Sequence, residues 1–297
     1  HMTAASAKLR EVSSAAAAAG ELEVENLAVS FGTRAGEVRA LKGITFSLAP
    51  GERLGLVGES GSGKSVSCLS IMGLLDRNAQ VASGRVRLHG RTLIEVGKPL
   101  PKSPPPEVAM IFQYPRTALN PIRSVGAQLM DVLATIEPGA SRAQLRQRAL
   151  GLLEEVRITR GEERLKAYPF ELSGGQCQRI LIAMALARKP EVLIADEPTT
   201  GLDVVTQRAI MDLIAEARDA HGMGCILVTH DLALAGEFCD RIVVMKQGEV
   251  VEEGPTTVLF DDPRHPYTRG LLAATPALTH SLDALRGALL ETGVGHD

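Results

Sequence analysis

The stretch GESGSGKS, from Gly58 to Ser65, sets three glycines ahead of a lysine and a hydroxyl. The pattern G-x-x-x-x-G-K-[ST] lets a backbone wrap closely and point its N–H groups at phosphate oxygens. Gly58, Gly61 and Gly63 supply the freedom, Glu59, Ser60 and Ser62 fill the turns, and Val66 carries the chain into an apolar helical pattern. That helix would add its positive N-terminal end to the anion site. Lys64 would reach the outer phosphates of a nucleotide and the Ser65 hydroxyl would bind Mg²⁺. A glycine-rich turn without a ligand is the plain alternative, but the strand-like RLGLVG before and SVSCLSIMGLL after supply the context the motif needs.

Two further stretches carry chemistry. LIADEPTTGLD places Asp196 and Glu197 side by side at the end of an apolar, strand-like run. Neighbouring carboxylates are costly there unless a cation or a reacting group accompanies them. ELSGGQCQR opens a second apolar helix with Ser173, Gly174 and Gly175. Read alone, Ser173 is an ordinary helix cap. Beside a single phosphate loop, a second anion-binding helix start implies a nucleotide shared between two chains.

The elements that position these residues alternate. ELEVENLAVSF reads as a strand, with further strands up to RLGLVG, then GRVRLHG and VAMIFQ as strands on either side of a proline-rich connection, VGKPLPKSPPPE. From Tyr114 to about Leu172 two amphipathic helical patterns suggest a helical insertion. Strand and helix alternate again through EVLIAD, AIMDLIAEARDAHG and CILVTH. That rhythm implies a mostly parallel sheet covered on both faces. Residues 1–20 read as a disordered leader carrying a tag remnant, 21–260 as the main domain and 261–297 as a C-terminal extension.

Composition narrows the class. A net charge of −3 and a pI near 6.2 make no electrostatic case for a nucleic-acid partner, and 3% aromatics without Trp offer no base-stacking platform. The four cysteines are scattered, which argues against a zinc or iron–sulfur site and fits a reducing compartment. No segment approaches the roughly 18 apolar residues of a membrane span. The expectation is an intracellular chain.

In chain order, Phe31, GESGSGKS, Gln113 after a strand, LSGGQ, VLIADEP, GLD and VTHD resemble the ATP-binding subunits of ABC transporters, over Glu21 to about Pro276. The resemblance implies an α/β fold, a P-loop NTPase cassette with a mixed sheet, an antiparallel β subdomain and a helical subdomain. It implies ATP and Mg²⁺ as ligands. Phe31 would stack on adenine, against the alternative of a core strand aromatic. Gln113 would touch Mg²⁺ or the attacking water, Asp196 would hold Mg²⁺ through water, and Glu197 would orient and polarise the attacking water. His230 would contact the γ-phosphate, a role that rests on the resemblance because a histidine at a strand end is commonly structural. Leu172, Ser173, Gly174, Gly175 and Gln176 would cap the γ-phosphate bound to the opposite subunit. Gly201, Leu202 and Asp203 would form a dimer-interface loop.

YPFELSGG, FQYPRTALNPIRSVG, DEPTTGLDVVTQ and above all the tail DDPRHPYTRGLLAATP resemble the branch that imports dipeptides, oligopeptides, opines and nickel. That branch implies a second cassette, identical or paralogous, two membrane permeases docked on the helical insertion, and an extracytoplasmic solute-binding protein. The chain would sit peripherally on the cytoplasmic face of the inner membrane. Two features depart from the branch. No cysteine follows Cys239, so no iron–sulfur cluster is expected, and Cys177 lies inside the signature helix, open to oxidation if exposed. ABC-type ATPases of DNA repair would insert coiled coils or zinc modules, and those of translation would carry two cassettes. A non-catalytic nucleotide sensor is argued against by the intact Lys64, Asp196, Glu197 and His230.

Overall fold

A computed structural model describes residues 21–34 and 36–275; the expected leader and residues 276–297 of the expected extension lie outside the described residues. The chain opens with β1 (Leu22–Thr33) and β2 (Gly36–Leu48), followed by β3 (Arg53–Val57) and α1 (Lys64–Met72). Next come β4 (Ala79–Leu88), β5 (Arg91–Glu95) and β6 (Val108–Ile111), with no helix or strand in the proline-rich connection before β6. Helices α2 (Pro115–Ala118), α3 (Val125–Ile136), α4 (Arg142–Glu155) and α5 (Gly161–Lys166) follow, then α6 (Gly174–Leu186). The remainder is β7 (Val192–Asp196), α7 (Val204–His221), β8 (Gly224–Thr229), α8 (Leu232–Phe238), β9 (Arg241–Lys246), β10 (Glu249–Pro255), α9 (Thr256–Asp261) and α10 (Pro266–Ala273).

Two sheets result. One is antiparallel, in the order β2-β1-β4-β5; the other runs β10-β9-β3-β8-β7-β6 and is parallel except for β10 against β9. This is the mostly parallel sheet expected from the alternation. Its central strands are apolar on both faces, and their alternate residues feed two different cores. Val57, Ile111, Leu193, Ala195, Leu227 and Val244 face the helices. Leu54, Leu56, Met110, Ile194, Val228 and Met245 face α1 and the antiparallel sheet. One covering layer is therefore antiparallel β-structure together with α1, because β1 and β2 present their own apolar rows (Val29, Leu41, Ile44, Phe46) to the sheet beside Cys68 and Ile71 of the helix.

Local hydroxyls set the starts of α3 and α4. Ser124 accepts from Ala127 N–H ahead of α3, and Ser141 and Gln144 form a reciprocal capping box at α4. Arg241 ties the layers together: its guanidinium bonds Glu52 at 2.7 and 3.1 Å and also reaches the Ser47 carbonyl of β2.

At the sheet end remote from the carboxyl ends of the strands, Glu21 is 6% exposed and one of its carboxylate oxygens has no partner. His89, in the β4–β5 turn, bonds Glu191 at 2.5 Å beside it. Burial pushes the Glu21 carboxyl above its usual range; His89 pulls it back and Glu191 pushes it further up. A raised folded-state value means that the stability from protonated Glu21 is complete below the unfolded-state pKa and is lost as pH rises through the folded one. Glu21→Gln is therefore expected to stabilise the protein at neutral pH by about 1 kcal/mol, or roughly 2 °C in Tm, with the gap closing near about pH 4. Calorimetry at the two pH values checks this; an unchanged or lower Tm at neutral pH contradicts it.

Candidate active site

β3 delivers the chain into Gly58, where a Cβ would lie 2.2 Å from the Met245 carbonyl oxygen and 2.7 Å from Ser62 Oγ. Only glycine fits there. Gly61 and Gly63 take left-handed conformations, with φ of 78° and 104°. The loop thus closes into a cradle whose last residue opens α1. Lys64 is 5% exposed and curls back into the loop, its Nζ donating to the carbonyls of Gly58 (2.6 Å) and Glu59 (2.9 Å) and approaching Ser62 Oγ at 3.4 Å. Burial lowers the ammonium's pKa, and the nearby Glu197 and Asp196 charges oppose that shift.

The carboxylate pair sits where β7 ends. Strands β6, β7 and β8 pair in parallel register, Ile111 with Ala195 and Asp196 with Val228, so the residues just past their ends come together. Asp196 is 7% exposed; burial raises its carboxyl, adjacent Glu197 raises it further, and a hydrogen bond with Ser65 and the Lys64 charge lower it. Glu197 turns sharply away with φ of 44°, a left-handed conformation that costs of order 1 kcal/mol for a residue other than glycine. Its N–H still donates to Val228 O at 2.9 Å, which holds the turn against β8.

Three side chains converge on the Glu197 carboxylate. Gln113 Nε2 donates at 2.9 Å and Thr200 Oγ1 at 3.0 Å to Oε2, while His230 Nδ1 lies 3.2 Å from Oε1. Gln113 follows β6 and His230 follows β8, so the strands on either side of β7 each contribute one group. The sequence-predicted residues Lys64, Ser65, Gln113, Asp196, Glu197 and His230 are all brought to the carboxyl-terminal end of this sheet. Thr200 was missed: a hydroxyl three residues beyond an acid in a turn is also common turn chemistry, so its signal was ambiguous. The oxygens of Ser65, Asp196 and Gln113 form a hard donor set that suits Mg²⁺.

The remaining predicted residues lie elsewhere. Ser173 caps α6 by accepting from Gln176 N–H at 3.2 Å, and Gln176 Oε1 accepts from Ser173 N–H at 3.0 Å. A Cβ on Gly174 or Gly175 would press on Leu202 (3.2 Å) or Thr206 (2.6 Å), so the signature glycines let α6 pack against the start of α7. Asp203 caps α7, accepting from Thr206 N–H at 3.0 Å and Thr206 Oγ1 at 2.6 Å, bonds that hold its carboxyl below the usual range. Gly201, next to Leu202 in this loop, is exposed with φ of 76°. Leu172 is 3% exposed and belongs to the core, so its side chain anchors the signature instead of presenting itself to a ligand. Phe31 packs half-buried on the core between the two sheets. Cys177 is buried against the Pro169 carbonyl and burial raises its thiol pKa, so the exposure that oxidation requires is not met.

The family described as ABC transporter matches residues 41–200, and the oligopeptide/dipeptide transporter C-terminal region matches 251–293. A putative peptide import ATP-binding protein of Brucella abortus is 47% identical over 265 residues, 89% of this chain and 80% of that protein. The dipeptide transport ATP-binding protein DppD of Haemophilus influenzae is 45% identical over 272 residues, 90% of this chain and 82% of its own. Among solved structures, an ATP-binding cassette captured as a dimer in a post-hydrolysis state with ADP and Pi superposes with a TM-score of 0.67. It is 30% identical and covers 79% of this chain and 98% of its own. The cbiO1 structure from Clostridium perfringens, part of the ABC transporter complex cbiONQ, gives a TM-score of 0.67 at 27% identity, covering 89% and 99%.

The crowding at Gly58 generates a direct test. Gly58→Ala forces a methyl group onto the Met245 carbonyl and should cost about 1–3 kcal/mol, the range for overpacking. Chemical denaturation of the variant measures it, and wild-type stability would show that the loop yields where the packing says it cannot.

Proposed function

The chain belongs to the ABC transporter family, and we propose that it is the ATP-binding and hydrolysing subunit of an importer for peptides or a related small solute. The observation that carries this reading is the convergence of Gln113, Thr200 and His230 on Glu197, beside Lys64, Ser65 and Asp196. The relatives at 43–47% identity are named for peptide import or dipeptide transport, which leaves the repair and translation alternatives without support.

The phosphates of ATP lie in the loop from Gly58 to Ser65, with Val66 in the first turn of α1. Lys64 leaves the carbonyls of Gly58 and Glu59 for the outer phosphate oxygens. Ser65, Asp196 and Gln113 would hold Mg²⁺, which when bound neutralises charge on the phosphate oxygens. Glu197 orients a water molecule for in-line attack and polarises it as general base, its carboxylate fixed by the amide of Gln113 and the hydroxyl of Thr200. His230 is 65% exposed at its side chain, and we assign it to the γ-phosphate at the open side of the site. Phe31 is assigned to the adenine.

The site is half of a pair. Ser173, Gly174, Gly175 and Gln176 present the N-terminus of α6 outward, and we assign them to the nucleotide held by a second cassette, with Gly201, Leu202 and Asp203 at the contact. Dimerisation of cassettes and a permease complex as partner follow from the family. A solute-binding protein outside the membrane, a position on its cytoplasmic face, and docking of permeases on the helical segment at about 114–172 complete the proposal. In this division residues 21–260 form the cassette and 261–297 the extension.

Glu197→Gln keeps shape and hydrogen bonding but removes the base. Turnover of ATP should fall by about 100-fold or more, with nucleotide affinity retained and the closed dimer accumulating. Steady-state phosphate release, nucleotide titration and size-exclusion chromatography with ATP read the three effects. Near-normal hydrolysis in this variant would sink the assignment of Glu197.

A further inference from the structure

The extension reaches the phosphate loop. In α10 the Tyr267 hydroxyl accepts a hydrogen bond from the Glu59 backbone N–H at 3.1 Å, across 208 positions of sequence. The Glu59 carbonyl accepts from Lys64 Nζ at 2.9 Å and from the Ser62 N–H at 3.2 Å, while its N–H is held by the extension. The Tyr267 ring also lies under Lys246, with Nζ 4.9 Å from the ring centroid. Lys246 ends β9, and its neighbour Met245 is the residue whose carbonyl crowds Gly58.

The start of α10 is itself fixed. His265 caps it by accepting from Tyr267 N–H at 3.1 Å, and Glu252 of β10 accepts from the N–H groups of Arg264 (2.8 Å) and His265 (3.0 Å). Tyr267 is thus a braced arm, not a loose contact. When Lys64 turns to the phosphates it gives up the carbonyls of Gly58 and Glu59; Ser62 N–H still holds the Glu59 carbonyl from within the loop, and Tyr267 is the hold on Glu59 from outside it.

We propose that Tyr267 is a positioning residue for nucleotide binding: the C-terminal extension holds the first turn of the phosphate loop in the shape that receives ATP. This rests on the ATPase reading above. A loop prearranged in this way loses less freedom on binding, so the contribution falls on affinity and not on the chemical step.

The test compares the full chain with Tyr267→Phe, which removes only the acceptor, and with Arg269→Ala, an exposed change on the same helix. Titration with mant-ATP and the steady-state constants for ATP are the readouts. Tyr267→Phe is expected to weaken mant-ATP binding and raise KM by about three- to tenfold with kcat unchanged, while Arg269→Ala keeps wild-type constants. Unchanged affinity and KM in Tyr267→Phe overturn the proposal, as does a fall in kcat alone or a lower Tm with both kinetic constants intact. A wild-type chain that binds no mant-ATP overturns the ATPase reading itself, and this proposal with it.

Discussion

Three charged side chains, Lys64, Asp196 and Glu197, must stay close together at the carboxyl ends of the central strands while largely withdrawn from water. Such groups cost several kcal/mol each, of order, unless neutral dipoles or a counter-charge meet them. Here dipoles do the holding: backbone carbonyls for Lys64, the Ser65 hydroxyl for Asp196, and an amide and a hydroxyl for Glu197. Burial moves Lys64 and Asp196 towards their neutral forms. A polyphosphate beside Lys64 and a cation beside Asp196 would relieve both.

Keeping these groups in place requires a stiff support. The parallel strands β6, β7 and β8 are buried on both faces, so the two cores clamp the sheet from opposite sides. A side chain at the end of such a strand has little freedom in its backbone. The left-handed turn at Glu197 persists because its N–H is bonded to β8 and its carboxylate to groups from the flanking strands.

The two parts of the chain assigned above to nucleotide are built differently. The P-loop and the acid pair form an inward, heavily bonded cluster. The signature is an outward helix start whose Ser173 and Gln176 satisfy each other. That mutual cap keeps α6 soundly terminated in a single chain and leaves its N-terminus available to a second one. The extension adds a third part, reaching back to the loop through Tyr267.

Much of this was legible in the residues. The spacing of Gly58 to Ser65 specifies a phosphate loop because backbone curvature and helix start are local properties, and the apolar run before Asp196 marks a buried strand end for the same reason. The covering of the sheet by β1 and β2 was less legible, since strand order depends on pairings between distant segments. What the sequence by itself determined is which groups exist and how each local turn or cap is made. Only the tertiary structure decided that Gln113, 84 positions away, and His230 meet at Glu197, that Leu172 faces inward, and that Tyr267 reaches Glu59. The reason is physical: those meetings come from the burial of apolar faces hundreds of atoms apart, and no short-range pattern encodes which strand ends will be neighbours.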